Sequence, residues 1–191
     1  EDYYTEPRAE TDLEVLSVIT RAIHRKSAVQ VSYRAVSSGM TSRVIVPFAL
    51  ADSGSRWHVR AYDRRSSDFR DFVLARIADA RFDVGPIDDG ELPEHDIQWN
   101  RIVELELVPH PANMRNPDTI EAEYGMTDGM RVIRVRAALV GYMLRRWNVD
   151  CTPDHSLRGG ENYLWLKNRP ALYGVTNLIL APGYSEPGTD R

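Results

Sequence analysis

The sequence predicts an α+β protein of two consecutive domains. Apolar residues recur at every second position in several short runs of the first half, which is typical of half-buried antiparallel strands. A stretch rich in proline, glycine and acids, GPIDDGELPEHD, follows these runs at residues 85–96 and resembles a linker. Beyond it, strand patterns alternate with helix patterns, which is the order of a sheet covered by helices.

Composition limits the kinds of protein that this chain can be. Its 191 residues are enough for two small domains, and 42% apolar with 27% charged residues is typical of soluble globular proteins. The net charge of −4 argues against a broadly basic surface for duplex DNA. No apolar run is long enough to span a bilayer. The single cysteine, Cys151, excludes an intramolecular disulfide and fits a reducing cytoplasm, so we expect a cytoplasmic protein that does not bind membranes.

The first predicted element is a helix. Residues 1–10 are acidic and contain a proline, and we expect them to form a linker. The sequence TDLE at residues 11–14 has the spacing of a capping box, which predicts Thr11 as the N-cap of a helix that runs to about Arg25. The apolar stripe of this helix, which would pack on a sheet, consists of Val15, Leu16, Ile19, Ala22 and Ile23.

Short strands should follow the helix, so that residues 11–84 form the first domain. The predicted strands cover residues 29–36, 43–50, 57–62, 69–77 and, overlapping the last, 76–84. Pro47 lacks an amide hydrogen and therefore favours an edge or a bend in the second strand. Strands this short, with turn signals at this density, predict a small antiparallel β-barrel or a curled sheet.

Residues 56–77, RWHVRAYDRRSSDFRDFVLARI, concentrate arginines, a histidine and aromatic rings on two strands. His58 and Arg60 share one face of the first of these strands. Guanidinium groups near flat rings suit an anion with a stackable part, such as a nucleotide or a short nucleic acid. The alternative is that these arginines are solvated or paired with carboxylates. The candidate carboxylates are Asp63, Asp71 and Asp79.

The same region resembles the WYL domain, a small Sm-like (SH3-like) β-barrel of bacterial transcriptional regulators. The signature triplet corresponds to residues 57–59, where His58 and Val59 stand in place of tyrosine and leucine. The later family pattern, Arg-x-Phe-x-x-x-Arg-Ile, is matched in full by Arg70, Phe72, Arg76 and Ile77. Upstream, the matching positions are Ala22, Ile23, Val31, Ser32, Tyr33, Arg43 and Pro47.

The resemblance implies a ligand pocket in the barrel. The expected ligand-binding residues are Tyr33, Arg43, Trp57, His58, Arg60, Arg70, Phe72 and Arg76. Four of them stand where WYL domains place ligand-facing groups: Arg43, His58, Arg70 and Arg76. Trp57 is expected to support the pocket from behind. Because a protonated histidine adds positive charge, we expect the affinity for a phosphate-bearing ligand to rise modestly as pH falls through the imidazole range.

The second domain is expected at residues 101–185, after a linker at 85–100 and before a tail at 186–191. Strand patterns lie at residues 102–108, 130–135 and 163–166, and helix patterns at 117–124 and 138–147. A final apolar run at residues 175–181 is expected to close the sheet. This order predicts a ferredoxin-like α+β domain.

The predicted second domain is similar to the C-terminal extension that follows WYL domains in many regulators, which implies a homodimer. Arg145 and Arg146 lie on its predicted second helix and are candidates to reach an anion across the dimer interface. The alternative, a solvated helix face, stays open.

Signals for an enzyme are poor. The sequence contains no G-x-S-x-G, Walker, G-x-G-x-x-G or H-E-x-x-H motif. Cys151 and His155 stand four residues apart, but no second pair completes a zinc site. We therefore predict a binding protein without metal or cofactor.

The resemblance implies the effector-sensing and dimerising region of a WYL-family transcriptional regulator, similar to those that accompany the anti-phage systems BREX and CBASS. Its effector would be a nucleotide or a short single-stranded nucleic acid. Operator DNA would be bound by an N-terminal winged helix-turn-helix, which a start at Glu1 leaves out of this sequence. The alternative is a free-standing Sm-like module that binds single-stranded nucleic acid.

Overall fold

A computed structural model describes residues 11–83 and 85–186, which form two compact units that meet in sequence between Asp96 and Ile97. Each unit has its own hydrophobic core and its own antiparallel sheet. Two antiparallel sheets with few helices agree with the predicted α+β class. The predicted linker at residues 1–10, Val84 and residues 187–191 of the predicted tail lie outside the described residues.

The first unit begins with helix α1, Leu13–Arg25. The N-cap is Asp12 and not Thr11, because the Asp12 carboxylate accepts hydrogen bonds from the amides of Glu14 and Val15, at 2.8 and 3.3 Å. An acid at the N-cap satisfies amides that have no partner within the helix, and it also suits the positive end of the helix dipole. The side chains that α1 buries are Val15, Ile19 and Ala22.

The sheet of the first unit has five strands. They are β1 Val29–Ala35, β2 Gly39–Asp52, β3 Trp57–Asp63, β4 Asp68–Val73 and β5 Ile77–Phe82. All neighbours are antiparallel, in the order β4-β3-β2-β1-β5. Among the described residues β4 does not pair with β5, so the hydrogen-bonded ring of a closed barrel is not formed. The core lies between this sheet and α1.

The predicted single strand at residues 69–77 is interrupted by a 3₁₀ turn, Leu74–Arg76. Leu74 and Ile77 are both buried, a spacing of three that a strand cannot place on one face. Three residues in a 3₁₀ turn advance by only about 6 Å. The turn joins the two edge strands of the sheet, β4 and β5, and a link this short requires the sheet to curl strongly.

Residues 85–96, which we call the strap, are tied to β3 and to the turn after it by two arginines. Arg60 donates from Nε and Nη2 to the two oxygens of Asp96, at 2.8 and 3.1 Å, and both side chains are buried. Arg64 donates from Nε and Nη2 to the two oxygens of Glu91, at 2.6 and 2.8 Å. Such bidentate pairs are geometrically specific. The proline- and glycine-rich stretch therefore packs against the first unit.

The second unit contains three strands and three short α-helices among its described residues. In chain order they are α2 Ile97–Asn100, β6 Ile102–Pro109, α3 Pro117–Glu123, β7 Arg131–Arg136, α4 Val140–Arg146 and β8 Leu164–Leu166. The strands form one antiparallel sheet in the order β7-β6-β8. A ferredoxin-like sheet needs a fourth strand, which the described residues do not supply.

The predicted closing strand at residues 175–181 is wrong. The chain there forms a 3₁₀ turn at Leu178–Leu180, and the Asn177 side chain bridges to the start of α4. It donates to the carbonyl of Ala138 at 2.8 Å and accepts from the amide of Gly141 at 3.0 Å. A Cβ at Gly141 would lie 2.2 Å from the Asn177 carbonyl oxygen, so only glycine permits this contact.

Replacing Asp96 with asparagine tests how strongly the strap stabilises the first unit. Loss of one partner leaves a buried arginine charge less compensated, and we expect Asp96→Asn to cost about 3 kcal/mol of unfolding free energy. In the control Asp79→Asn, which breaks the exposed pair with Arg81, the cost should be below about 0.5 kcal/mol. Amide hydrogen exchange of β3, followed by mass spectrometry, measures the loss of stability in each of the two variants. Equal exchange in the two variants would contradict a stabilising strap.

Candidate functional site

Four of the predicted ligand residues share one face of the curled sheet, which we call the inner face. Arg43 lies directly opposite the core residue Val31 in the register of β1 and β2. Tyr33, two positions after Val31, falls on the same face. On β4, Phe72 is opposite Val59 and Arg70 is opposite Ala61, and both of these β3 residues belong to the core. The sheet therefore brings together Tyr33, Arg43, Arg70 and Phe72.

Arg43 is held in place by an ion pair against two aromatic rings. Its Nη1 donates to Asp63 at 2.6 Å and its Nε donates to the Thr41 hydroxyl at 3.1 Å. The guanidinium carbon lies 6.0 Å from the centre of the Tyr33 ring and 5.8 Å from that of Phe72. The Arg43 side chain keeps 13% exposure, whereas that of Asp63 has none. Arg43 thus reaches the surface at a fixed position.

Asp63 holds Arg43, whereas the sequence analysis named it only as one of three carboxylates that could pair with the arginines of residues 56–77. It also accepts hydrogen bonds from the Arg65 amide and the Ser66 hydroxyl, at 3.1 and 2.9 Å. The signal for its role was its parity, because Asp63 continues the alternation of Val59 and Ala61 on the core face. An acid at a core-facing position requires a partner of opposite charge.

Tyr33 and Phe72 form the floor of the inner-face site. Both rings are buried and meet edge to face at 5.1 Å between their centres. The Tyr33 hydroxyl accepts from the amide of Val73 at 3.2 Å, so it is already used within the sheet. Arg70 is exposed, and no carboxylate of the described residues forms an ion pair with it. Arg70 is thus an exposed cation of this face without a carboxylate partner among the described residues.

Arg60 lies on the opposite face and is fully used by the protein. It is opposite Asp71 in the register of β3 and β4, and its Nη1 donates to that carboxylate at 3.2 Å. With the bidentate pair to Asp96, the guanidinium has two carboxylate partners. Burial by itself would lower the pKa of Arg60, but the hydrogen bonds that Arg60 donates to Asp96 and the charge of Asp71 raise it. For Arg60 the structure therefore shows the alternative that the sequence analysis left open, an arginine paired with carboxylates.

His58 also points away from the inner face. The side chain is buried, and its Nε2 lies 3.2 Å from the Ser53 hydroxyl. Burial lowers the pKa of His58 below the ordinary 6.5, Asp71 opposes this, and the positive charges of Arg56 and Arg76 lower it further. His58 thus lies on the other face from Arg43, and its lowered pKa means that the imidazole takes up a proton less readily than a free histidine. The expected rise of ligand affinity with falling pH stays a prediction.

Trp57 and Arg76 lie at the ends of elements. Trp57 begins β3 and is 49% exposed, and its expected role in supporting a pocket from behind stays a prediction. It pairs with Asp52 at the last position of the β2–β3 ladder, where no further pair covers it. Arg76 closes the 3₁₀ turn, is half-buried, and acts on His58 through its charge.

The second unit contains the remaining residues that the sequence singled out, Arg145, Arg146 and Cys151. Arg145 and Arg146 are exposed in the last turn of α4, which fits either a solvated face or a contact with another molecule.

Burial raises the pKa of Cys151 to about 12, so its thiol stays protonated and unreactive. No group of three metal-binding side chains is found within residues 11–83 and 85–186. In the same ranges, none of the helices has both the length and the apolar character needed to cross a bilayer.

Comparisons with known proteins identify two domains. The model of the WYL domain matches residues 14–82, and that of the BrxR transcriptional regulator, C-terminal dimerization domain, matches residues 102–172. The DNA-binding transcriptional repressor CapW of Escherichia coli (strain KTE188) is 35% identical over 86% of this chain and 54% of its own length. CapW of Pseudomonas aeruginosa is 34% identical over 83% of this chain and 52% of its own. The chain spans about half the length of these relatives.

Among solved structures, proteasome accessory factor B/C (PafBC) of Arthrobacter aurescens is similar over 87% of this chain and 27% of its own. The sequence identity is 18% and the TM-score is 0.39.

The lowered pKa of His58 predicts how the stability of the first unit depends on pH. The unfolded chain, with an ordinary imidazole, binds the proton more readily than the folded one, so stability is lost as pH falls through 6.5 towards the folded pKa. The slope from this group is at most about 1.4 kcal/mol per pH unit. In His58→Gln this part of the slope should vanish, whereas in the exposed control His24→Gln it should persist. Urea unfolding at pH 5.5, 6.5 and 7.5 measures it, and identical slopes in both variants would refute the assignment.

Proposed function

This chain belongs to the WYL-domain transcriptional regulators, and on that premise we propose that it is the effector-sensing and dimerising region of a transcriptional repressor. The effector is a nucleotide or a short single-stranded nucleic acid, which binds at the inner face of the first unit. The observation that supports this most directly is the exposed Arg70, which lies on the same face as the aromatic-backed Arg43 and has no carboxylate partner among the described residues.

The two arginines contribute differently. Asp63 neutralises Arg43, but the Nη2 group of Arg43 makes no hydrogen bond to any described residue. It can therefore donate to a phosphate oxygen from a side chain that is already immobile, which lowers the entropic cost of binding. Arg70 supplies the net positive charge that draws the anion to this face. A phosphate bridging the two arginines would use both the position of one and the charge of the other.

Bases need a different kind of surface from phosphates. Tyr33 and Phe72 are too deeply buried for a base to stack on either ring. We therefore assign the inner face to the sugar–phosphate part of the effector, with base identity secondary. This assignment favours a ligand recognised by its phosphates, such as a short single strand or a cyclic oligonucleotide, over a free base or nucleoside.

Regulation requires that the effector bind two states of the protein with different affinity. In our proposal the second unit forms the homodimer, in keeping with its match to a dimerization domain. Operator DNA is bound by a part of the protein outside this sequence, as in relatives that are named DNA-binding repressors. The regulated genes belong to an anti-phage defence operon, and the protein is a cytoplasmic regulator and not an enzyme.

Arg70→Ala tests the inner-face site. Loss of one charge-assisted contact should weaken binding of a labelled oligo(dT) roughly ten-fold. The slope of log affinity against log salt should fall by about 0.7, the value for one phosphate of a single strand. Arg81→Ala, which also removes one exposed arginine of the same sheet, should change affinity less than about two-fold. Fluorescence anisotropy at two salt concentrations measures both, and equal losses in the two variants would show that only net charge matters.

The oligomeric state separates the repressor region from a free-standing nucleic-acid-binding module. We expect light scattering to give a molar mass of roughly twice the 21.8 kDa of the chain at micromolar concentration. The reason is that a dimerization domain buries its contact surface only against a second copy. A monomer that binds oligo(dT) as tightly would favour the free-standing module instead.

A further inference from the structure

The second unit has a surface hollow of about 650 Å³ that none of the comparisons assigns to a ligand. It lies beside β8 and the 3₁₀ turn Arg169–Leu172. Aromatic rings, prolines and two cations line it: Pro153, Trp165, Lys167, Arg169, Pro170, Tyr173 and Tyr184. Its volume is within the range of small-molecule sites, and its lining combines flat apolar surface with positive charge.

The rings of the hollow include two that the protein holds in place. The Trp165 indole donates from Nε1 to the Thr152 carbonyl at 2.9 Å, and His155 meets its ring edge on at 5.7 Å between centres. Tyr184 lies against the guanidinium of Arg169, whose central carbon is 5.0 Å from the ring centre. Tyr173 differs, because it is 86% exposed. Trp165 and Tyr184 thus form fixed walls, and the exposed Tyr173 ring adds a further apolar surface to the lining.

The cations of the hollow are not neutralised by acids. Arg169 donates from Nε to the Cys151 carbonyl at 3.2 Å and from Nη2 to the Ser185 carbonyl. Carbonyl oxygens orient the guanidinium but leave its charge intact. No carboxylate of the described residues lies within ion-pair distance of Arg169 or Lys167. This local excess of positive charge occurs in a chain whose net charge is −4.

We infer that this hollow binds a small anion that carries a flat ring, of the size of a nucleoside monophosphate. The ring stacks on Trp165, and the phosphate lies towards Lys167 and Arg169. An apolar ligand would gain affinity by stacking on the rings but none from the cations. A bare phosphate would gain affinity from the cations but none from the rings. Base–aromatic stacking and charge-assisted hydrogen bonds together favour a ligand with both parts. The inference uses residues of the second unit alone and does not depend on the inner-face site.

The test follows the indole resonances of the whole ¹⁵N-labelled chain during titration with AMP, adenosine or inorganic phosphate. The chain has four tryptophans, and Trp165→Phe identifies the signal of Trp165. We expect AMP to shift this signal saturably and more tightly than either adenosine or phosphate alone. Equal affinity for adenosine and AMP would overturn the role of the cations. No shift of the Trp165 signal with AMP at about 10 mM, far above ordinary metabolite affinities, would overturn the site.

Lys167→Ala and Arg158→Ala form a matched pair for the same titration, because each removes one exposed cation of the second unit. Removal of a partly solvated charge contact at the ligand should weaken AMP binding roughly five-fold in Lys167→Ala. Arg158→Ala should leave AMP binding unchanged within about two-fold, because Arg158 does not line the hollow. Equal loss in both would overturn the assignment. So would a Trp165 shift that follows protein concentration and not AMP, since the hollow would then be a contact between copies of the chain.

Discussion

A buried arginine needs a carboxylate, and this requirement organises the first unit. Removing a guanidinium from water is costly unless its charge is compensated and its N–H groups are satisfied. On the outer side of β3, Asp71 and Asp96 supply this compensation for Arg60, and Asp96 can do so only because the strap packs over the sheet. On the inner face, Asp63 compensates Arg43. The same rule thus fixes the path of residues 85–96 and the position of the inner-face arginine.

The requirement also separates structural arginines from those that remain for binding. Arg60 has two carboxylate partners and little exposure, so a ligand could reach it only by breaking a buried network. Only part of the Arg43 guanidinium is used by the protein, because Nη1 donates to one carboxylate whereas Nη2 makes no hydrogen bond to any described residue. Arg70 has no such partner and stands in solvent. Residue type was the same in the three cases, so only the location of acids could distinguish them.

The sequence predicted what depends on local patterns. Period-two alternation located the strands between Val29 and Phe82 but did not reveal the 3₁₀ turn at Leu74–Arg76, and parity placed His58 and Arg60 on one face. Contacts between residues distant in sequence could not be predicted from local patterns. Arg60 and Asp96 stand 36 positions apart in the sequence, so no local pattern reveals their pairing, and acids in a proline- and glycine-rich stretch resemble a linker. The apolar run at residues 175–181 misled for a related reason, because the bonds of Asn177 to the start of α4 turn a strand-like sequence into a 3₁₀ turn.

The two proposed sites hold their arginines by different means, and the difference affects what each can attract. A carboxylate orients Arg43 and cancels its charge, so the inner face depends on Arg70 for long-range attraction of an anion. Carbonyl dipoles orient Arg169 without cancelling its charge, so the hollow of the second unit keeps the charge of both its cations. The rings differ in the same sense, since Tyr33 and Phe72 are buried whereas Tyr173 is in solvent. In our proposals the inner face therefore suits the sugar–phosphate backbone of a single-stranded nucleic acid, and the hollow suits a single nucleotide with its base.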